Sequence, residues 1–300
     1  MATLYTHQSS NNAKTWLLMV TFLAVIVALG FAVSLVYDNP VILYFALIFS
    51  VVMNIGSFWF SDKIALSLAG AKEISPDSDT THLELKRIVD NLSITAGLPS
   101  PRVYIINDSA PNAFATGRNK EHAAIAVTSG LLNIMERAEL EGVIAHELAH
   151  VGNKDILLSS SVIVLVGFVS IVADIFMRSM WFRGGRDSDS KGANPLMIIG
   201  IIFIIISPII ATLIQLAISR KREFLADATG ALITRYPEGL ASALEKIGGH
   251  SAPMSHASNA MAHLYISNPF GGKTRKGLAT LFMTHPPIEK RIAILRGEEK

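Results

Sequence analysis

The chain contains no cysteine in its 300 residues. That excludes disulfides, thiolate metal ligands, iron–sulfur clusters and a cysteine nucleophile together, so any metal must be held by histidine and carboxylate. Charge is also scarce: 17% of residues are charged and half are hydrophobic, whereas an ordinary globular chain carries about 25% charge. This is the balance of a membrane protein. Neither sign of charge dominates, since 26 basic against 24 acidic residues give a formal charge of +2, and that argues against a nucleic-acid partner. There is no internal repeat and no Gly-x-Ser-x-Gly elbow of a serine hydrolase. Gly271-Gly272-Lys273-Thr274 looks like part of a phosphate loop, but Ser267 stands where its leading glycine belongs.

The apolar residues form four runs. A bilayer core about 30 Å thick needs roughly 20 helical residues. The stretch from Trp16 to Tyr37 has that length without a charged side chain, and so does the stretch from Pro40 to Phe60. Only Asp38 and Asn39 separate them, which predicts a tight transmembrane hairpin. The first run is too long for a signal-peptide core and lacks a small-residue cleavage site, so it is expected to be retained. A third run extends from Ile156 to Met177 and a fourth from Pro195 to Ser219. Asp174, Pro208 and Gln215 would need partner helices or water there. Run length favours two further crossings, with a buried helical hairpin of a soluble core as the alternative.

Ordinary soluble patterns lie between and after these runs. Leu85, Ile88, Val89 and Leu92 describe one face of a helix over Asp79 to Ala96, stopped by Gly97 and Pro99. Arg102 to Ile106, Asn112 to Thr116 and Ala123 to Thr128 suit strands of a small β-meander. A helix is predicted from about Ala138 to Asn153, with Leu140, Val143, Ile144, Leu148 and Val151 as its apolar stripe. The tail from Arg220 is mostly helical by pattern, with a loop around Asn268 to Lys276. The fold class is therefore a mainly α integral membrane protein with four hydrophobic helices and a smaller α+β part. Its divisions are a tail over 1–15, a hairpin over 16–60, a polar part over 61–155, a second hydrophobic hairpin over 156–219 and a second polar part over 220–300.

The middle helix carries His146-Glu147-Leu148-Ala149-His150. Residues four apart share one helical face, so His146 and His150 can bring two imidazoles to one ion, with Glu147 beside them as a non-ligating carboxylate. A catalytic zinc wants three protein ligands and an open position. Glu223 and Asp227 sit four apart on a helix continuing out of the fourth run. Glu223 can be the third ligand and Asp227 the acceptor that holds a ligand histidine in one tautomer. The alternative for this pair is an exposed face paired with Arg220, Lys221 or Arg222. Topology favours the site: two crossings, or none, return Glu223 to the side of the membrane on which the histidine helix ends. The expected cofactor is one Zn2+ per chain, an inference from nitrogen and oxygen donors.

At these residues the chain resembles HtpX-type membrane zinc metalloproteases, which are related to the CAAX prenyl-protease type. The likeness rests on the hydrophobic hairpin, the His-Glu-Leu-Ala-His motif, the hydrophobic pair after it and Arg222-Glu223-Phe224-Leu225-Ala226-Asp227. Pro111-Asn112-Ala113-Phe114-Ala115 and Thr284-His285-Pro286-Pro287 through Arg291 also match. The resemblance implies a zincin-like catalytic domain of the gluzincin kind, a multi-pass place in the bacterial inner membrane with a cytoplasmic site, and a role in membrane-protein quality control under stress. It favours His285 and Arg291 as groups that face the developing oxyanion, with a proline-anchored turn and a surface arginine as the alternative. It also favours Asn112, Ala113, Phe114 and Ala115 as an exposed edge strand that pairs with extended substrate, with a loop and core strand as the alternative.

The residues then predict an endopeptidase acting on membrane or unfolded proteins, with the lipid bilayer as its other partner and no oligomeric state specified. A metal-binding scaffold or a transporter using Asp174 and Gln215 is the competing class; Glu147 argues for the enzyme, because a scaffold needs no carboxylate beside its ligands. Lys14, Lys63, Lys154, Arg220, Lys221 and Arg222 flank the hydrophobic ends on the catalytic side, so the positive-inside rule places both termini and the chemistry in the cytoplasm. Arg178, Arg183, Arg186 and Lys191 disagree: either their loop is translocated against the rule, or the third and fourth runs enter without crossing.

Overall fold

The computed structural model describes residues 4–165, 167, 220–250, 252–255, 257–258, 260–271 and 286–298. Two long helices come first, α1 (Leu4–Val36) and α2 (Val41–Leu68). Both are long and apolar enough to cross a membrane, over Ser10–Leu35 and Val41–Leu68. Their outward faces agree with that. Trp16, Leu17, Phe31, Tyr44, Phe45, Ile48, Trp59 and Phe60 are all exposed, a continuous apolar surface that water would penalise and lipid would not. The hairpin turn places Asp38 at φ 47°, and the Asn39 side chain accepts from the Val41 N–H to start the return helix. Residues 4–15, read from the sequence as a tail, form the first turns of α1.

The polar part is built on a four-stranded sheet of β1 (Lys72–Glu73), β2 (Arg102–Ile106), β3 (Ala113–Thr116) and β4 (Ala124–Thr128), in the order β1-β2-β4-β3. The expected meander is corrected here. β4 lies parallel to β2, with Arg102 opposite Ala124, and β3 runs antiparallel to β4 at the edge. The reason lies in β4, Ala-Ile-Ala-Val-Thr, which is buried along its whole length. A strand apolar on both faces takes a central place in a sheet covered on both sides.

Alternation along the strands divides the core in two. Val103, Ala113, Ala115, Ile125 and Val127 face α3 (Thr80–Ala96), α5 (Arg137–Gly152) and α8 (Pro237–Gly249). Tyr104, Ile106, Phe114, Ala124 and Ala126 face Leu18 and Phe22 of α1, Leu158 and Val162 of α6 (Asp155–Leu165), and Met261 and Tyr265. The apolar hairpin is thus packed directly on the sheet. An ion pair from Arg102 of β2 to Asp62 at the end of α2, 2.8 Å, ties the returning helix to the same sheet.

α3 starts where Asp79 accepts from the His82 N–H and stops at Gly97 in the left-handed region, and its buried positions are the predicted Leu85, Ile88, Val89 and Leu92. The short α4 (Ser129–Ile134) follows β4. α5 opens with a capping box between Glu136 and Glu139, and α6 leaves it at 84°. After the fourth run come α7 (Arg220–Thr234), α8 and α9 (Ile288–Leu295). Most of the third run, all of the fourth, and therefore Asp174, Pro208 and Gln215, lie outside the described residues, as does the basic loop between those runs.

Two glycines let the helices approach α5 closely. A Cβ on Gly142 would lie 2.6 Å from the Leu240 backbone nitrogen, and one on Gly230 would lie 3.0 Å from the backbone nitrogen of His146. Alanine normally gains about 1 kcal/mol over glycine inside a helix, but overpacking a rigid backbone costs about 1–3 kcal/mol. Gly142→Ala is therefore expected to lower the thermal midpoint in detergent, and an unchanged or raised midpoint would refute the tight α5–α8 approach.

Candidate metal centre

α5 places its two motif histidines where the sequence periodicity requires, on the face turned toward α7. His146 is 1% exposed. Its Nδ1 lies 2.9 Å from Asp227 Oδ1, and the Nδ1 of His150 lies 3.0 Å from Asp155 Oδ2. A carboxylate accepts and cannot donate, so both Nδ1 atoms carry the proton and both Nε2 atoms are left for something else. Those two Nε2 atoms face each other at 3.2 Å. Glu223, at the start of α7, approaches them at 3.6 Å from His150 Nε2 and 3.9 Å from His146 Nε2. Among the described residues this is the group whose donor atoms converge closely enough to hold a metal ion.

The donors fit a zinc ion. Tetrahedral bonds of about 2.0–2.1 Å put neighbouring ligand atoms about 3.3–3.4 Å apart, close to the observed edges. Charge fits as well. Glu147, Glu223, Asp227 and Asp155 are buried carboxylates, while Arg222 and Arg291 are the buried guanidiniums around them. Four against two leaves a surplus of two negative charges, which a divalent cation matches.

Metal-free, a proton must occupy that space. Burial lowers His146 to about 4. Burial also acts against a charged His150, but the hydrogen bond to Asp155 and the charges of Glu223, Asp155 and Glu147 outweigh it and raise it to about 9. His150 then donates through Nε2 to neutral His146. Glu147, 2% exposed, is pushed up to about 7 by burial; the charge of His150 and a hydrogen bond from the Ala115 backbone N–H oppose that rise, while Glu223 adds to it.

Arg291 is fully buried on α9 and lies behind the histidines. Its Nε and Nη2 donate to the two oxygens of Asp227 at 2.8 and 2.7 Å, and Nη1 donates to the Ile266 carbonyl. Burial would raise Asp227, but the Arg291 charge and the hydrogen bonds from His146 and Arg291 hold it below the usual carboxylate range. The resemblance favours Arg291 as a group facing the developing oxyanion; besides its two bonds to Asp227, its Nη1 lies 3.8 Å from Glu223 Oε2 and its Nη2 3.4 Å from His146 Nε2. His285 lies outside the described residues.

β3 is an edge strand, as the substrate-pairing reading requires, but it is not exposed. The Ile266 N–H donates to the Ala113 carbonyl at 3.0 Å. The Asn112 side chain pins the same segment through Ser267 and Met254. Phe114 stacks edge-on against Tyr265. Phe114 needs apolar cover on its face, and Met254, Met261 and Tyr265 help to supply it.

Sequence reasoning missed Asp155. Its signal was an acid immediately before an apolar run, five residues after His150, where a solvated carboxylate has little reason to be. His263 reaches the Ser159 carbonyl at 2.9 Å and is not in the cluster.

Comparison with known proteins finds relatives that span most of the chain. Residues 79–299 match peptidase family M48. A "Protease HtpX homolog" of Thermoanaerobacter pseudethanolicus is 47% identical over 300 residues, covering 98% of each chain. One from Syntrophobacter fumaroxidans is 48% identical over 286 residues, covering 95% of this chain and 98% of that one. The crystal structure of S. mikatae Ste24p superimposes with a TM-score of 0.50 at 18% identity, over 89% of this chain and 62% of that chain, and so supports the fold alone. With two histidines and a glutamate converging inside the matched region, and full-length relatives at this identity, the chain belongs to peptidase family M48.

Proposed function

We propose that this membrane zinc metalloprotease holds its ion through Nε2 of His146, Nε2 of His150 and the Glu223 carboxylate, and that Glu147 is its general base. The observation that carries the assignment is the 3.2 Å approach of two Nε2 atoms whose ring partners are both carboxylates. Held by these residues, zinc would supply Lewis-acid chemistry toward the scissile carbonyl and the attacking water. The chain's own residues do the rest. Glu147 takes a proton from the attacking water and passes it to the departing amine nitrogen. Its raised affinity for protons suits a group that must both accept and return one near neutral pH. Asp227 and Asp155 keep the ligand rings in the tautomer that presents Nε2, and Arg291 fixes Asp227. His285 remains the candidate for the developing oxyanion. The Asn112–Ala115 edge is the proposed substrate strand.

In this reading the catalytic domain is a gluzincin built from residues 61–155 and 220–300 and interrupted by the second hydrophobic pair, which completes four spans. Basic residues at the catalytic ends of the hydrophobic runs support a cytoplasmic site in the bacterial inner membrane. Lys14 and Arg222 both lie at that end, beside Asp155. The substrates are membrane or misfolded proteins, and the role is quality control under stress. Direct attachment of the hairpin to the sheet through Arg102 and Asp62 supports chemistry close to the bilayer surface.

Three outcomes are expected. Glu147→Gln should keep one zinc per chain by elemental analysis while cleavage of an unfolded protein falls by about 10²–10⁴-fold; cleavage equal to wild type would remove Glu147 as base. The base must be ionised, and a nearby cation can only lower its pKa from about 7. The acid limb of kcat/KM should therefore have its midpoint at or below about pH 7, and a midpoint well above that would count against the assignment. In the metal-free protein, His150 is protonated until about pH 9, so zinc must displace that proton. Zinc affinity by chelator competition should rise about tenfold per pH unit between pH 7 and 9; a flat profile would contradict the proton-for-metal exchange.

A further inference from the structure

We infer that Asn11, on the first membrane helix, is a positioning residue of the zinc site, acting through Asp155 on His150. The inference rests on the zinc site proposed above and adds to it an element from the membrane hairpin. Asn11 is 3% exposed and lies at the lower end of the Ser10–Leu35 span. Its side-chain Nδ2 donates to Asp155 Oδ1 at 2.6 Å and to the Asn153 carbonyl at 3.0 Å. Its Oδ1 accepts from Arg222 Nη1 at 3.4 Å. The other Asp155 oxygen is the one bonded to His150 Nδ1. One amide thus links α1 to the turn that follows the histidine helix α5 and to the first turn of α7, which carries Glu223.

The turn it holds is under backbone strain. Lys154 sits at φ 59°, the left-handed region that non-glycine residues avoid at a cost of about 1–3 kcal/mol. Across this residue the chain bends by 84° into α6, and the bend turns Asp155 back under His150. Asn11 grips both flanks of the strained residue, the carbonyl before it and the carboxylate after it. Without that grip, relaxation of the turn would rotate Asp155 away and free the His150 ring. Asparagine suits the position because its amide supplies two N–H donors and one acceptor. Aspartate has the same shape and no donor, and would set a second carboxylate against Asp155. Arg222 also reaches Asp155, its Nε 3.7 Å from Oδ1, so the carboxylate keeps one partner when Asn11 is lost. The effect of Asn11 is therefore expected to be smaller than that of Asp155 itself.

The test is zinc affinity by chelator competition in the full-length protein in detergent, read together with the visible spectrum of the cobalt-substituted form. Outer-shell partners of metal ligands are worth about 10–100-fold in affinity. Asp155→Ala should fall in that range, and Asn11→Ala and Asn11→Asp should each weaken zinc by several-fold to about tenfold and shift the cobalt bands. Adding Asn11→Ala to Asp155→Ala should then change nothing further, which is the mark of action through Asp155. Asn11→Ser, which keeps a hydroxyl donor, should recover part of the affinity and serves if the alanine variant does not fold. Unchanged zinc affinity in both Asn11→Ala and Asn11→Asp, or the same loss in the Asp155→Ala background, would overturn the inference while leaving the zinc site intact. A wild-type protein that takes up no zinc would overturn both.

Discussion

The structure depends on the direction in which two imidazole rings present their lone pairs. A histidine can offer Nε2 to a cation only while Nδ1 keeps its proton, and each ring here has a carboxylate assigned to that task, Asp227 for His146 and Asp155 for His150. Each carboxylate is fixed in turn. Asp227 is gripped by both arms of a buried arginine, and Asp155 is held by an amide from the membrane hairpin with a second arginine nearby. Buried ion pairs are weak contributors to net stability, since desolvation offsets most of the attraction. Their value here is directional: a fork that accepts one carboxylate geometry leaves the ring one orientation.

The helices reach the positions this network needs because small residues and apolar stripes allow it. Gly230 brings α7 against the backbone of His146, and the same helix carries Asp227 about one turn and Glu223 about two turns earlier. α5 is buried on nearly all sides, so the polar atoms of its motif sit in low dielectric, where burial suppresses charge on His146 and Glu147. The sheet, covered on both faces, joins that helix to the membrane hairpin. Elements far apart in the chain are thereby made neighbours without a linker between membrane and site.

Much of this was legible beforehand, for identifiable reasons. The α3 and α5 stripes follow the 3.6-residue period, and the buried residues of both helices include every predicted stripe position. The His146, His150 and Glu223 convergence was readable because spacing on one helix and parity of crossings do not depend on side-chain detail. The strand order was not. Segments of similar composition do not reveal whether they pair as a meander or with a parallel crossover, and only the complete burial of β4 separates the two. Arg291 was noticed, but its bonds to Asp227 were not readable, because an arginine in the tail does not announce a buried carboxylate partner sixty-four positions away. Asp155 and Asn11 escaped for a related reason: single polar residues bordering apolar runs look like membrane-edge residues until the folded turn brings them under a ligand.

Anomalous diffraction at the zinc edge, from crystals of the zinc-loaded protein, tests the central claim most directly. The account predicts one peak about 2.0–2.2 Å from Nε2 of His146, Nε2 of His150 and a Glu223 oxygen, with both Nδ1 atoms still on Asp227 and Asp155. A peak coordinated through either Nδ1, or with Asp227 in place of Glu223, would contradict it.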